Sequence, residues 1–155
     1  EARTHYQQAA NLRANLTGEP EHLNSLARLI VGCHDADLAD SARAIEVSKQ
    51  ATKLAPENAR YLATLGSVYA QFDKFDDAIS TLRIVDKLSP AGGTTHEFWL
   101  AFSLAKRNGE ADMPEARNRF KQAVDRMELD APGRQTLQQL RSKVEPLVAE
   151  PESDL

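Results

Sequence analysis

The sequence contains a single cysteine, Cys33, among its 155 residues. One cysteine excludes a disulfide within the chain and agrees with a reducing compartment. No apolar run approaches the roughly 20 residues that a membrane-spanning helix needs, and the first residues lack a charged segment followed by an apolar one. The formal net charge of −4 gives no electrostatic reason for nucleic-acid binding. We therefore expect a cytoplasmic chain without nucleic-acid or membrane partners. Because it begins with Glu1 and not Met, we interpret it as a piece of a longer protein.

The sequence also lacks the alternation of apolar and polar residues that marks half-buried strands. Its apolar residues instead recur every three or four positions, in segments separated by glycine and proline. A hydrophobic content of 41% with 27% charged residues is ordinary for a globular domain. This pattern predicts an all-α domain over residues 1–150, followed by a disordered tail at 151–155.

Residues 59–90 show the clearest helix–turn–helix pattern, and small residues occupy fixed positions in it. The residues that define the two helices are Leu62, Leu65, Gly66, Tyr69, Ala78, Leu82 and Val85. Gly66 would let the helices approach without a Cβ between them, and Pro90 would end the second helix because it lacks an N–H group. The pattern predicts helices over 59–71 and 74–88, with Asp73 as a cap of the second.

The pattern recurs with a period of 34 residues, since Ala44 and Pro56 precede Ala78 and Pro90 by that distance. This period and these residues resemble the tetratricopeptide repeat (TPR). The resemblance implies a right-handed α-α superhelix of TPR hairpins with a C-terminal capping helix. The expected parts are an unpaired helix at 2–16, repeats at about 20–56, 57–90 and 95–128, and a capping helix at 132–149. Pro146 is expected to end or kink that last helix.

The first repeat can be aligned in two ways. One alignment places its first helix at about 20–32 and requires an insertion within 33–40. The other matches Gly32 with Gly66 and needs no insertion, but it puts Asp35 where Tyr69 stands. We prefer the first, because burying a carboxylate costs far more than lengthening a surface loop.

Residues 22–35 and 41–46, with 98–101 and 115–117, also resemble a TPR variant of bacterial proteins that carry serine/threonine kinase domains. This resemblance covers roughly residues 20–145. The chain itself has no kinase glycine-rich loop, catalytic aspartate loop or metal-binding aspartate motif. We therefore expect a non-catalytic interaction scaffold, whose parent protein could carry a kinase domain. The alternative is a regulatory or self-association segment of such a kinase-like protein.

In TPR arrays, the first helices of successive repeats line the concave face and hold a protein or peptide partner. The resemblance implies a groove formed by Asn24, Arg28, Arg60, Thr64, Ser67, Gln71, Phe98, Trp99, Phe102 and Lys106. The aromatic rings could take an apolar anchor, and the cations could hold carboxylates. The alternative is that Trp99 packs against the C-terminal helices while the arginines are solvated. A chaperone-type carboxylate clamp is less favoured, because Ala63 and Thr64 stand where polar clamp residues are expected.

Other patterns give weaker signals, and we expect no cofactor, no metal and no catalytic residue. Asp35, Asp37 and Glu46 resemble part of an EF-hand loop, but Ala39 replaces a ligand and Asp40 stands where the loop needs glycine. Adjacent Cys33 and His34 do not make a zinc site or an activated nucleophile. The isolated histidines are expected at the surface or as helix caps: His5, His22 and His96.

Overall fold

Helices account for all the regular secondary structure in the residues that the computed structural model describes, which are 18–32, 41–90, 93–107, 109–130 and 135–149. The helices are α1 (Pro20–Val31), α2 (Ser41–Leu54), α3 (Ala59–Gln71), α4 (Phe75–Leu88), α5 (Thr94–Arg107), α6 (Met113–Asp130) and α7 (Gln135–Val148), with a 3₁₀ turn at Glu110–Asp112. The prediction of an all-α fold is confirmed. The predicted helix 2–16, the loop 33–40 with its rejected calcium and cysteine motifs, His5 and the tail 151–155 lie outside the described residues.

Helix α1 begins at Pro20 and ends at Val31. Pro20 occupies the first turn, where its missing N–H group costs no hydrogen bond. Gly32 follows as the C-cap and donates its N–H to the Arg28 carbonyl at 3.0 Å. Gly32 therefore stands outside the helix, whereas a match with Gly66 would place it inside one.

Helices α3 and α4 differ in whether a side chain caps their first turn. The Asn58 side chain caps its start, accepting the Arg60 and Tyr61 N–H groups at 3.1 and 3.2 Å. The prediction that Asp73 caps α4 is wrong, because Lys74 holds the N-cap position and no side chain bonds there. Asp73 instead adopts a left-handed φ of 58°, a conformation that aspartate tolerates better than most residues.

Pro146 lies inside α7, and the helix continues to Val148. A proline here removes the backbone hydrogen bond that its own N–H would have donated, and its ring crowds the carbonyl of Ser142 one turn earlier. Because that bond lies in the last turns, its loss does not stop the helix at Pro146 itself.

Helices α3 and α4 form a tight hairpin around the connection at residues 72–74. Gly66 lies against the buried side chain of Leu82, and a Cβ at Gly66 would stand 2.6 Å from both its Cγ and its Cδ2. Normal carbon contacts are about 3.5–4.0 Å. The glycine therefore sets how closely the two helices approach.

The helices pack in two rows. Each helix contacts the next along the chain, and the odd-numbered helices also contact one another in the order α1, α3, α5, α7. The even-numbered helices α2, α4 and α6 lie farther apart: within the described residues no Cα atoms of two of them come within 8 Å, and α4 and α6 meet through side-chain hydrogen bonds. Helix α5 is the most enclosed, because every residue from His96 to Ala105 is buried.

Buried apolar residues form two clusters along these rows. The larger joins α3 to α7 and includes Leu82, Leu100 and Val144. The smaller joins α1 and α2 to Val68 of α3. The partly buried Ile45 packs against both clusters, so it links the two parts of the core.

Candidate interaction cleft

The odd-numbered helices line an open cleft of about 480 Å³. Helices α1 and α7 contribute its outer walls and do not contact each other in the described chain, while α3 and α5 lie between them. The residues lining the cleft are Arg28, Val31, Gly32, Ser67, Gln71, Thr95, Trp99, Thr136, Gln139, Leu140 and Lys143.

Helical spacing explains why these residues share one surface. Residues three or four positions apart lie on the same face of a helix. Ser67 and Gln71 are so spaced on α3, and Thr95 and Trp99 on α5. Each odd-numbered helix therefore presents one such stripe to the cleft and uses its remaining apolar positions for the core.

Aromatic and cationic groups meet at the α5–α7 side of the cleft. The rings of Trp99 and Phe102 make an edge-to-face contact, with their centroids 5.6 Å apart. The Lys143 ammonium lies 5.6 Å from the centroid of each ring, which is within the range of a cation–π interaction. Trp99 thus contacts α7 and lines the cleft at the same time, although only 7% of its surface is exposed.

The charge of the cleft has one sign. Among the described residues that line it, Arg28 and Lys143 are the charged ones, and none is a carboxylate. Neither forms an ion pair with another described residue. The cleft is therefore cationic, although the chain as a whole has a net charge of −4.

The structure brings four of the predicted groove residues into this cleft, namely Arg28, Ser67, Gln71 and Trp99. Phe102 adjoins it through its contacts with Trp99 and Lys143. Lys106 lies beside Phe102, with its ammonium 5.9 Å from the ring centroid.

Two further predicted residues lie nearer the start of α3. Arg60 pairs with Glu21 of α1, and the same carboxylate accepts the Tyr61 hydroxyl at 3.1 Å. The Thr64 hydroxyl donates to the Arg60 carbonyl at 3.1 Å. The Arg60 charge is thus already matched by an acid of the chain itself.

The last two predicted residues are buried in the interior. Phe98 is fully buried and packs edge-to-face on Phe120, with centroids 5.9 Å apart. Asn24 is 1% exposed, and neither its oxygen nor its nitrogen has a hydrogen-bond partner among the described residues.

Sequence reasoning missed the contribution of α7. Thr136, Gln139, Leu140 and Lys143 line the cleft, whereas the last helix was assigned only the role of a cover. The available signal was a second stripe, in which polar residues at 136, 139 and 143 run beside the buried residues Leu137 and Val144. Which residues of α7 reach the cleft depends on the angle at which α7 crosses α5. The spacing of residues in the sequence does not specify this angle.

A separate polar cluster joins α4, α5 and α6. His96 Nδ1 accepts the Gly93 N–H at 2.9 Å, and His96 Nε2 lies 2.9 Å from an Asp86 carboxylate oxygen. Since Nδ1 accepts a hydrogen bond, Nε2 must carry the ring proton and donate it to Asp86. The cap role expected for His96 is therefore found, at a position only 3% exposed.

Arg119 completes this cluster with hydrogen bonds to both carboxylates, 2.7 Å to Asp86 and 3.1 Å to Glu97. Burial lowers the pKa of the Arg119 guanidinium, but the hydrogen bonds and charges of Glu97 and Asp86 outweigh burial and raise it above its ordinary value. Each member of the cluster is therefore satisfied by the others.

Asp86, His96 and Glu97 could in principle hold a metal ion, since one ligand atom of each lies within 4.8 Å of the others. A cation would need the lone pair of His96 Nε2, which would move the ring proton to Nδ1 and oppose the Gly93 N–H. It would also stand beside the Arg119 guanidinium, which already pairs with both carboxylates. The geometry favours a structural network that ties three helices together.

Comparison with known proteins adds no identification to this geometry. Neither a protein-family model nor a curated protein matches the chain. Among the described helices, none combines the length and the apolar content needed to cross a lipid bilayer.

Proposed function

We propose that the chain is a non-catalytic interaction scaffold, a curved array of TPR-type hairpins that binds a peptide or protein segment in the cleft between α1 and α7. The observation that carries this proposal is the position of the cleft on the row of odd-numbered helices. Those are the first helices of the hairpins in a TPR array, and the sequence resemblance implies that they line the binding face.

The packing supports a curved array. The backbones of successive odd-numbered helices lie close together, whereas no Cα atoms of two even-numbered helices come within 8 Å in the described ranges. When hairpins stack with closer spacing in one row than in the other, the row with closer spacing lies on the inside of the curve. The cleft would then be the concave face, where an extended or helical segment can lie across several helices.

The composition of the cleft supports a peptide ligand. It combines an aromatic ring, apolar side chains and several hydroxyl and amide groups, with Trp99 and Gln71 as examples. Such a mixture can bury an apolar anchor and bond to a peptide backbone.

A display library of random 12-residue peptides tests the proposal. Gln71→Trp places a large ring in the cleft, and Gln122→Trp makes the same change at an exposed position of α6 outside it. We expect peptides that bind the unchanged chain and the Gln122→Trp variant but not the Gln71→Trp variant. Circular dichroism would verify that both variants fold. A library that yields no peptides of this kind would reject the cleft as a binding site.

A further inference from the structure

We propose that the cleft selects peptide segments in which two acidic residues flank an apolar residue, with Arg28 and Lys143 as the two anion-binding positions. This inference rests on the proposed function, because it names the ligand of the same cleft. Two cationic positions, with no carboxylate among the described residues that line the cleft, carry it.

The two cations lie on opposite walls of the cleft. Arg28 belongs to α1 and Lys143 to α7, and these helices do not contact each other. Packed helix axes are about 8–10 Å apart, so three steps from α1 to α7 span at most about 30 Å. An extended peptide rises about 3.3 Å per residue. The two acidic residues are therefore no more than about nine positions apart.

The lining of the cleft also includes apolar side chains that could contact the central residue. Trp99, Leu140 and Val31 contribute apolar atoms there, and the first two belong to helices α5 and α7, which contact each other directly. The hydroxyl and amide groups of Ser67 and Gln71 lie on α3. They can bond to the peptide backbone without preferring a charge.

The same observations disfavour other anions. Nucleic acid binding usually rests on many phosphate contacts, and this cleft offers two cations in a chain with a net charge of −4. A small anion could bind to Arg28 or to Lys143, but it would leave the apolar side chains of the lining uncovered. Only a segment that carries both kinds of group uses the whole cleft.

Arg60 illustrates the contrast with a cation that is already neutralised. It pairs with Glu21, and Glu21 also accepts the Tyr61 hydroxyl. A carboxylate of a ligand would have to displace Glu21 to bind there. Arg28 and Lys143 have no such competitor within the described residues.

The test selects peptides from the random 12-residue library, with the unchanged chain and with a double variant, Arg28→Glu plus Lys143→Glu. Peptides whose binding is lost when Gln71→Trp is added are called cleft-dependent, and only these are compared. We expect the peptides selected by the unchanged chain to be enriched in Asp and Glu, and those selected by the double variant to be enriched in Lys and Arg. Lys121→Glu, at an exposed position of α6, is the matched control and should select the same acidic peptides as the unchanged chain.

Individual peptides then give the size of the effect. Replacement of either acidic residue by its amide should weaken binding about tenfold, because hydrogen bonds to charged groups contribute about 1.5 kcal/mol or more. Fluorescence anisotropy measures this change, which should shrink at 0.5 M salt as the charges are screened.

The outcomes separate the two proposals. Cleft-dependent peptides without acidic enrichment, or with the same composition in the double variant, would overturn this inference and leave the proposed function intact. Absence of any cleft-dependent peptide would overturn both. Acidic enrichment that reverses in the double variant would support both.

Discussion

Gly66 sets the distance between α3 and α4, because a Cβ there would stand 2.6 Å from atoms of Leu82. Overpacking of a buried site costs about 1–3 kcal/mol, and alanine regains about 1 kcal/mol of helix propensity over glycine. We therefore expect Gly66→Ala to lower the free energy of unfolding by about 1 kcal/mol, as measured by urea denaturation.

The same change in a Leu82→Ala background isolates the contact. With the leucine atoms removed, Gly66→Ala should no longer destabilise the chain and should gain its helix propensity. An equal loss in both backgrounds would mean that the approach of Gly66 to Leu82 is not the cause.

Asn24 is buried without a hydrogen-bond partner in the described chain. Burial of an unpaired amide costs about 1–3 kcal/mol, and leucine has a similar size and shape. We expect Asn24→Leu to raise the free energy of unfolding by about 1–2 kcal/mol, as measured by thermal and urea denaturation.

Asn58 gives the matched comparison, because its side chain accepts two backbone N–H groups at the start of α3. Asn58→Leu should lower stability by about 1 kcal/mol through loss of this cap. If Asn24→Leu destabilised the chain as well, the cost of burying an unpaired amide at position 24 would be refuted.

At the scale of the element, helix boundaries were the most predictable feature. Pro20, Gly32 and Pro90 mark ends that follow from backbone chemistry alone, and the observed helices end beside them. Asp73 was misassigned because aspartate suits both a cap and a left-handed turn, and the sequence does not separate the two. The packing in two rows could be inferred only through the resemblance. The spacing of apolar residues indicates which face of a helix is buried, but not which helix packs against that face.

The cleft shows the same difference: the sequence indicates which face of a helix a residue occupies, but not which helix lies opposite that face. Arg28, Gln71 and Trp99 were expected in the groove through the resemblance, and all three line the cleft. Phe98 was placed in the groove beside its neighbour Trp99, but adjacent residues of a helix point in different directions, and Phe98 is buried against Phe120. Lys143 could not be found, because its place over Trp99 depends on how α7 crosses α5.

Arg119 of α6 links three helices, because its guanidinium donates hydrogen bonds to Asp86 of α4 and Glu97 of α5. Its removal would leave two neighbouring carboxylates without a cation. Loss of one partner from a buried pair costs about 3–5 kcal/mol, and the partial exposure of Arg119 and Asp86 favours the lower end of this range. We expect Arg119→Met to lower the free energy of unfolding by about 3 kcal/mol.

Lys121→Met on the same helix is the control, because Lys121 is exposed and such substitutions usually change stability by less than about 0.5 kcal/mol. Equal losses in the two variants would show that the network does not hold α4, α5 and α6 together. Urea denaturation measures both.

The 3₁₀ turn before α6 is held by Arg107, whose guanidinium makes two hydrogen bonds of 2.6 and 2.7 Å to the Asp112 carboxylate. That hydrogen bonding lowers the pKa of Asp112 below its ordinary value. A lowered pKa in the folded state means that the carboxylate stabilises the fold above its unfolded pKa, and that this stabilisation is lost as the pH falls through the folded pKa.

Asp112→Asn should therefore lower the free energy of unfolding at pH 7, by about 1 kcal/mol or less because the pair is partly exposed. The difference from the unchanged chain should diminish as the pH is taken below about 4, where an unperturbed aspartate is protonated. If the difference in the free energy of unfolding stayed constant from pH 7 to pH 3, the lost stability would come from the changed shape of the side chain and not from its charge.

At the scale of the whole molecule, the two core clusters predict unequal stability along the chain. Within the described residues, the cluster of α1 and α2 is the smaller one and joins the rest through Val68 and Ile45. In stacked arrays each unit contacts only its neighbours, so an end can open while the centre stays folded. Leu26 is 1% exposed in the smaller cluster, and Leu100 is fully buried in the larger one. Truncation of either side chain to alanine costs about 2–5 kcal/mol locally.

We expect Leu26→Ala to speed amide hydrogen exchange in α1 and α2 while α5 and α6 keep their protection. Leu100→Ala should speed exchange throughout, because α5 contacts helices of both rows. The single tryptophan, Trp99, reports on the centre and should keep its emission in the first variant. Since α1 supplies the Arg28 wall of the cleft, opening of this end should also weaken the binding of acidic peptides. Uniform loss of protection in Leu26→Ala would instead show that the seven described helices unfold as one cooperative unit.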